Sequence, residues 1–270
     1  MTRSELISQI RQKKSYLCVG LDTDLDKIPE HLRDHEDPLF EFNRQIIDAT
    51  RDLCVAYKPN TAFFEVYGER GWSALRRTAE FISPSHLRIA DAKRGDIGNT
   101  AERYAQAFFR EMDYDALTVA PYMGEDSVTP FLKSSGKWVV LLAHTSNPGS
   151  SDFQLFEGGG RHLYEEVMAK ARSWATPDQL MFVVGATRAD RIAHIRSLAP
   201  EHFFLVPGVG AQGGSLEEVS KLAMTPDCGL LVNSSRAIIY ASGGRDFAEA
   251  ARAEALRMQQ EMQTWVERLM

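Results

Sequence analysis

Eight short apolar runs recur along the 270-residue chain, and each is followed by polar turn residues and then, in most cases, by a stretch with helical periodicity. Within each run the apolar character is continuous rather than alternating, which is typical of parallel strands that are covered on both faces. Eight strand–helix units in a chain of this length indicate an α/β fold, a single (β/α)₈ TIM barrel, which typically has ~250 residues. The runs occupy 16–22, 53–60, 87–93, 116–122, 138–145, 181–188, 203–210 and 229–235.

The segments between the runs place apolar residues at spacings of three and four, which predicts amphipathic helices. We also predict an additional N-terminal helix at about 2–14, covering the bottom of the barrel. A doubly wound open sheet is the alternative fold, but no G-x-G-x-x-G follows the first run. Because no linker or low-complexity tract interrupts the pattern, residues 1–270 are expected to form one catalytic domain. The predicted helices are 40–53, 72–82, 100–112, 162–174, 189–198, 215–224 and 248–269.

The charge balance and the cysteine content limit the partners and the compartment. With 31 Lys and Arg against 37 Asp and Glu, the net charge of −6 gives no general attraction to nucleic acid or to anionic membranes. No apolar run approaches the ~18 residues of a membrane helix, and the N-terminus carries charges where a secretion signal has its apolar core. The three widely spaced cysteines support neither a disulfide framework nor a zinc site, and Cys18 and Cys54 lie in apolar runs that predict their burial. We therefore expect a cytoplasmic protein without nucleic-acid or membrane partners.

Polar side chains are concentrated at the ends of the predicted strands. In a TIM barrel the catalytic groups lie at the carboxyl ends of the strands and in the loops that follow them. Asp22 ends the first run, Lys58 and Asn60 end the second, and Asp91 and Lys93 end the third. Further polar residues follow the fifth and eighth runs, namely Thr145, Ser146, Asn233, Ser234, Ser235 and Arg236.

The segment 91–100, DAKRGDIGNT, contains the densest group of charges. Residues two apart in a strand face the same side, so Asp91 and Lys93 are expected to point together into the barrel mouth, with Lys58 beside them. A buried lysine between carboxylates keeps its proton, which suits a proton donor and not a Schiff-base nucleophile. A structural ion-pair network at the rim is the alternative, and burying two lysines with Asp91 and Asp96 disfavours it because buried charge is costly. Asn99 or Thr100 also fits the N-cap of the next helix.

Two neighbouring loops predict a phosphate site. The Gly-rich loop 207–215 follows the seventh run, and Arg236 follows the eighth. In TIM barrels these two loops commonly hold phosphate through backbone N–H groups, and an arginine adds a charge-assisted contact. The histidines lack the spacing of a metal site, so we expect no metal.

Seven segments in order resemble the orotidine 5′-phosphate decarboxylase family, in particular its longer bacterial members. The resemblance implies a cofactor-free, homodimeric (β/α)₈ barrel that converts orotidine 5′-monophosphate to UMP and CO₂ in pyrimidine biosynthesis. The most specific part is D-x-K-x-x-D-I-x-x-T with K-P-N upstream. The segments are VGLDTD (19–24), AYKPN (56–60), DAKRGDIGNT (91–100), TVAPYMGEDS (118–127), TSNPGS (145–150), PGVGAQGG (207–214) and NSSRAI (233–238).

The resemblance also implies roles for individual residues. Lys58, Asp91, Lys93 and Asp96 match a catalytic tetrad, in which Lys93 protonates C6 and Asp91 lies against the substrate carboxylate. Asp96 and Thr100 would reach into the partner's site, which would make the dimer necessary for catalysis. The substrate-binding positions are Asp22 and Lys58 for the ribose, Ser146 for the pyrimidine, and Gln212 and Arg236 for the phosphate, with Asn60 and Thr100 counted among them.

Two other functions remain open from the sequence. One is a Mg²⁺-dependent sugar-phosphate decarboxylase or aldolase of the same barrel superfamily, whose members place a metal-binding carboxylate near the end of strand two. Lys58 occupies that place here, and its charge would repel Mg²⁺. The other is a non-catalytic barrel that binds nucleotide phosphates. Asp91, Lys93 and Asp96 argue against it, because binding alone does not need an internal proton donor.

Overall fold

Eight parallel strands close into a barrel in the computed structural model, which describes residues 1–186, 189–209 and 214–270. Each strand pairs with its neighbours along the chain, and β1 closes the ring against β8, with Leu17 opposite Val232. The predicted (β/α)₈ barrel is confirmed. The strands are β1 (Leu17–Leu21), β2 (Ala56–Pro59), β3 (Leu87–Arg94), β4 (Ala116–Val119), β5 (Trp138–His144), β6 (Leu180–Val184), β7 (Phe203–Pro207) and β8 (Leu230–Ser234).

The helices surround the barrel, and the seven predicted long helices correspond to α3, α5, α6, α9, α10, α11 and α13. A two-stranded hairpin, Glu157–Gly158 with Arg161–His162, precedes α9. Within the described residues, no helix is both long and apolar enough to span a membrane. The helices are α1 (Arg3–Lys13), α2 (Glu30–Arg33), α3 (Pro38–Thr50), α4 (Ala62–Glu65), α5 (Gly68–Phe81), α6 (Gly98–Gln106), α7 (Thr129–Leu132), α8 (Ser150–Phe153), α9 (Leu163–Trp174), α10 (Ala189–Leu198), α11 (Leu216–Ala223), α12 (Arg236–Ile239) and α13 (Phe247–Leu269), with a π-helical turn (Ala107–Glu111) and a 3₁₀ turn (Glu125–Ser127).

The N-terminal helix α1 is present as predicted and lies across the amino-terminal end of the barrel. Thr2 caps it, with its hydroxyl accepting the Glu5 N–H and the Glu5 carboxylate accepting the Thr2 N–H. At the other end of α1, Lys13 Nζ donates to the carbonyls of Arg51 and Cys54, each at 2.9 Å. Cys54 lies two residues before β2, so these bonds hold α1 against the bottom of the barrel.

The barrel strands are buried along nearly their whole length. Every residue of β1, β2, β4, β6 and β8 is buried, which explains why their apolar character is continuous rather than alternating. The three cysteines, Cys18, Cys54 and Cys228, are unbonded and fully buried. The predicted burial of Cys18 and Cys54 is therefore confirmed.

Strand β3 is irregular at its carboxyl end. Its pairing with β4 shifts register between Ala90 and Arg94, and Lys93 within the shift adopts a φ of +47°. An L-amino acid rarely adopts this left-handed conformation, because its Cβ approaches the neighbouring carbonyl oxygen. The next helix, α6, begins at Gly98 after the N-cap residue Ile97, so the predicted N-cap at Asn99 or Thr100 is wrong.

Candidate active site

A cavity of about 180 Å³ opens at the carboxyl-terminal end of the barrel. Residues from five different strand ends line it, so it exists only because the sheet closes on itself. A larger surface cavity of about 640 Å³ lies beside α1 at the opposite end, where TIM-barrel enzymes do not place catalytic groups. The described residues that line the smaller cavity are Asp22, Lys58, Asp91, Pro207, Gly208, Val209, Asn233, Ser234, Ser235, Arg236 and Ala237.

The Asp91 carboxylate lies between two lysines. Lys58 Nζ donates to Asp91 Oδ2 at 2.6 Å, and Lys93 Nζ donates to Asp91 Oδ1 at 2.6 Å. The side chains of Lys58 and Asp91 are only 6% and 10% exposed, so this pair is held away from bulk water. The predicted contacts of Asp91 with both lysines are therefore present.

Electrostatics keep Lys58 and Asp91 ionised. Burial alone would raise the pKa of Asp91, but the nearby charges of Lys58 and Lys93 and their hydrogen bonds lower it well below its usual value. Burial alone would lower the pKa of Lys58, but the carboxylates of Asp91 and Asp22 raise it above the usual lysine value. The site therefore favours an ionised Asp91 carboxylate next to a protonated Lys58 ammonium.

Lys93 is more open to solvent than the sequence suggested. Its side chain is 50% exposed, so the expectation that it would be buried between carboxylates is wrong. The register shift in β3 is the physical reason. It interrupts the regular alternation of side chains between the two faces of the strand, so Lys93 extends towards the mouth of the barrel. The lysine still reaches Asp91, and its other side is left open towards a ligand.

Asp22 and Asn60 have different surroundings. Asp22 Oδ1 is buried and accepts no hydrogen bond from any described residue, although the cavity and Lys58 are close by. Asn60 Oδ1 accepts the Ala62 N–H at 3.3 Å, and Asn60 forms an isolated bridge with Asp91. Asn60 therefore supports the start of α4 and is outside the described cavity lining.

The ends of β7 and β8 form the basic side of the cavity. Gly208 has a φ of +90°, a conformation that glycine adopts without strain. Arg236 is exposed at the first position of α12 and lines the cavity. Asn233 Oδ1 is buried without a hydrogen-bond partner among the described residues, which leaves an acceptor available to a ligand. Gln212, the other predicted phosphate contact, lies outside the described residues.

Besides Asn60 and Lys93, three further predicted residues stand outside the described lining of this cavity. Asp96 is partly buried, and its Oδ1 accepts the N–H of Ile97 at 2.8 Å. Thr100 is exposed on α6. Ser146 is partly buried after β5, close to Gly185 of the next unit, where an added Cβ would lie 2.8 Å from Ser146 Cβ.

Two residues of the site have no role in the sequence-based prediction. Thr118 of β4 is buried and hydrogen-bonds to both Asp91 and Lys93. The sequence contains a signal for Thr118, because its hydroxyl interrupts the apolar run ALTVAPY. Tyr240 donates to the carbonyl of Asp22 at 2.9 Å and accepts the Asp24 N–H at 2.7 Å, which ties the loop after β1 to the end of α12. This bond joins segments more than 200 residues apart, so no local pattern could have revealed it.

The fold and the site together define a class of protein. It is a (β/α)₈-barrel enzyme. At its cavity the ionised Asp91 carboxylate pairs with Lys58 of β2 and Lys93 of β3, and the ends of β7 and β8 form the other side. In the described ranges, no group of three or more His, Cys, Asp or Glu side chains is placed to hold a metal ion. The family model described as "Orotidine 5'-phosphate decarboxylase / HUMPS family" matches residues 15–253. The chain belongs to this family.

Individual relatives agree with this assignment. The orotidine 5′-phosphate decarboxylase of Bacteroides fragilis is 57% identical over 266 residues, which cover 97% of each chain. The solved structure of the Leishmania donovani OMP decarboxylase matches with a TM-score of 0.82 and 36% identity, covering 96% of this chain and 100% of that one. The solved structure of the Leishmania donovani UMP synthase matches with a TM-score of 0.81 and 38% identity. The match covers 94% of this chain but only 56% of that longer protein.

Proposed function

We propose that this protein decarboxylates orotidine 5′-monophosphate to UMP and CO₂ in pyrimidine biosynthesis, with Lys93 protonating C6 of the pyrimidine. Membership of the family and the near full-length similarity to named orotidine 5′-phosphate decarboxylases support the reaction. The observation that carries the proposal is the Lys58–Asp91–Lys93 array at the mouth of the cavity.

The charges of this array suit the chemistry of the reaction. Loss of CO₂ from C6 leaves a carbanion on a vinylic carbon without a carbonyl sink, so the barrier is high. The Lys93 ammonium would stabilise that charge as it develops and then supply the proton. Asp91, which is kept ionised by its two lysines, would repel the substrate carboxylate, and this repulsion relaxes as CO₂ leaves.

We assign the remaining residues to substrate binding. Arg236 and the loop after β7 would hold the phosphate, far from the reacting carbon, and so supply binding energy that positions the ring. The buried, unpartnered Asp22 Oδ1 offers an acceptor that a ribose hydroxyl can satisfy, with Lys58 beside it. The other positions proposed to contact substrate are Asn60, Thr100, Ser146 and Gln212.

We further propose a homodimer with shared sites, in which Asp96 and Thr100 act in the partner's cavity. Both stand outside the lining of their own cavity, as far as that lining is described. The adjoining surface exposes Ile97, Tyr122 and Met123, residues that are 51%, 87% and 49% exposed. Burial of such apolar groups drives association. We also propose that residues 1–270 form one cytoplasmic domain that works without a cofactor.

The test is turnover of orotidine 5′-monophosphate in the presence of EDTA, followed by the ultraviolet change that accompanies UMP formation. We expect turnover that does not depend on Mg²⁺. Absence of turnover would contradict the proposal, and turnover that requires added Mg²⁺ would favour a metal-dependent relative instead. A barrel that only binds nucleotides would bind UMP and leave the substrate unchanged.

The role of Lys93 has its own test. We expect Lys93→Ala to lower kcat by at least about a thousandfold, because the proton donor is lost, while UMP binding measured by calorimetry changes little. Lys133→Ala is the matched control, since Lys133 is an exposed lysine that pairs with Glu102, and neither residue lines the cavity. A Lys93→Ala enzyme with substantial activity would remove Lys93 from this role.

A further inference from the structure

Thr118 closes a ring of hydrogen bonds around the carboxyl end of β3. Its Oγ1 accepts the backbone N–H of Lys93 at 2.8 Å and lies 3.2 Å from Asp91 Oδ1, to which it donates. The same Asp91 oxygen receives the ammonium of Lys93 at 2.6 Å. The backbone of Lys93, the hydroxyl of Thr118, the carboxylate of Asp91 and the ammonium of Lys93 therefore form one closed circuit.

This circuit holds a strained residue. Lys93 adopts a φ of +47°, which is energetically costly for a residue with a Cβ. Such a conformation persists only where several surrounding contacts hold it in place. The register shift leaves the Lys93 N–H without its regular partner in the β3–β4 ladder, and Thr118 supplies the acceptor in its place. The Thr118 hydroxyl therefore satisfies the backbone N–H of Lys93, which the register shift removes from the ladder.

A hydroxyl is the group that this position requires. Thr118 is 2% exposed, and the other residues of β4 (Ala116, Leu117 and Val119) are apolar and buried. A buried group here must accept from the Lys93 N–H and donate to a carboxylate oxygen at once, which a valine of the same shape cannot do. Loss of the hydroxyl would leave the partly buried Lys93 N–H without this acceptor.

We infer that Thr118 is a positioning residue for the reaction, one that holds the strained backbone of Lys93 and orients the Asp91 carboxylate, so that the ammonium is aimed at the reacting carbon. The inference rests on the proposed function, since it concerns the placement of that reaction's proton donor. Thr118 itself is 2% exposed and does not line the described cavity, so it would act through Lys93 and Asp91. Its effect is therefore expected in kcat, because the residues proposed to contact the phosphate and the ribose lie at the ends of other strands.

The test compares Thr118→Val, Thr118→Ala and Thr118→Ser in the full-length enzyme. Misplacement of a catalytic group by about 1 Å costs on the order of a hundredfold in rate, so Val and Ala are each expected to lower kcat by roughly that factor with KM within about threefold. Thr118→Ser keeps the hydroxyl and is expected to retain kcat within about fivefold. If Val does not fold, Ala, which adds no bulk, carries the same comparison.

The matched control is Thr78→Val. Thr78 is also a fully buried threonine, and it does not line the cavity. Its hydroxyl donates to the Ala74 carbonyl within α5 and accepts the Asn43 amide at 3.5 Å. We expect its kcat to match that of the wild type. A kcat of Thr118→Val or Thr118→Ala close to the wild-type value, or an equal loss in Thr118→Ser, would overturn the inference, as would a crystal structure of the slow variant with Lys93 and Asp91 unmoved. Failure of the proposed function is distinct, because the wild type itself would then be inactive.

Discussion

At the scale of single residues, Asp91 is the group on which the electrostatics of the site depend. It neutralises Lys58, whose side chain is almost completely buried, and it holds the more exposed Lys93 at the mouth. A charge buried without its partner is expensive, because the attraction no longer offsets the lost hydration. The carboxylate therefore stabilises the folded protein as well as serving the proposed reaction.

We predict that Asp91→Asn lowers the free energy of unfolding at pH 7 by roughly 3 kcal/mol, because it leaves the Lys58 charge buried and unpaired. The folded pKa of Asp91 is below its unfolded value of about 3.9, so its contribution is complete above that pH and is lost as the pH falls through the folded pKa. The difference between wild type and variant should therefore be constant from pH 7 to 5 and should shrink only below about pH 4.

Urea unfolding at several pH values measures this difference. Asp113→Asn is the control, because Asp113 is 66% exposed and pairs with Arg88 and Lys137 at the surface, where an ion pair contributes less than about 1 kcal/mol. A gap between wild type and Asp91→Asn that is as large at pH 3 as at pH 7 would show that the carboxylate charge is not its cause.

At the scale of elements, the long helices and the barrel strands could be predicted from the sequence, because their apolar period repeats over enough residues to be recognised. The helix predicted at 189–198 coincides with α10, and 248–269 differs from α13 by a single residue. The five four-residue helices and the hairpin before α9 were not predicted. Four residues complete barely one turn, which is too short for a periodic apolar face.

One buried side chain joins several of these elements. The Arg196 guanidinium of α10 stacks 3.7 Å from the centre of the Phe204 ring on β7 and has no carboxylate partner among the described residues. It donates instead to backbone carbonyls of the segments that surround β7. Those carbonyls belong to Ala199, His202, Ala223 and Gly229, at distances of 2.6–3.0 Å.

We predict that Arg196→Met lowers the free energy of unfolding by at least about 3 kcal/mol, because it leaves these buried carbonyls unsatisfied. Arg196→Lys should recover less than half of the loss, since an ammonium cannot reproduce the planar fork of donors. The measurement is denaturant unfolding, with Arg252→Met as the control. Arg252 pairs with Asp52 at an exposed position, so its loss should cost less than about 1 kcal/mol. Equal stabilities of the two methionine variants would contradict this explanation.

At the scale of the whole molecule, closure of the barrel assembles the site. Asp22, Lys58, Asp91 and Arg236 come from four different strand ends, and β1 is brought beside β8 by the last pairing of the ring. Gly20 shows how close this approach is, because a Cβ added there would lie 1.8 Å from Ser235 Oγ. Substitution of Gly20 would therefore require the Ser235 side chain to move away from β1.

The proposed shared sites predict complementation between inactive subunits. We expect Lys93→Ala and Asp96→Ala to be inactive separately and to regain activity when mixed, because each hybrid dimer then contains one intact site. Equal mixing should restore about one quarter of the wild-type sites. Activity is measured after subunit exchange has been verified by native mass spectrometry, and each variant incubated alone is the control. Proven exchange without any recovery would count against the sharing of sites by two subunits.

The sequence by itself determined the eight strand–helix units, the polar strand ends and the family, because periodicity and motifs are recorded in neighbouring residues. It also located Asp91 beside Lys58 and Lys93. Only the tertiary structure decided that Lys93 is half exposed and that Thr118, 25 residues further along the chain, holds its backbone. The reason is that the register shift in β3 arises from pairing with β4, and a strand's exposure depends on partners that are distant in sequence.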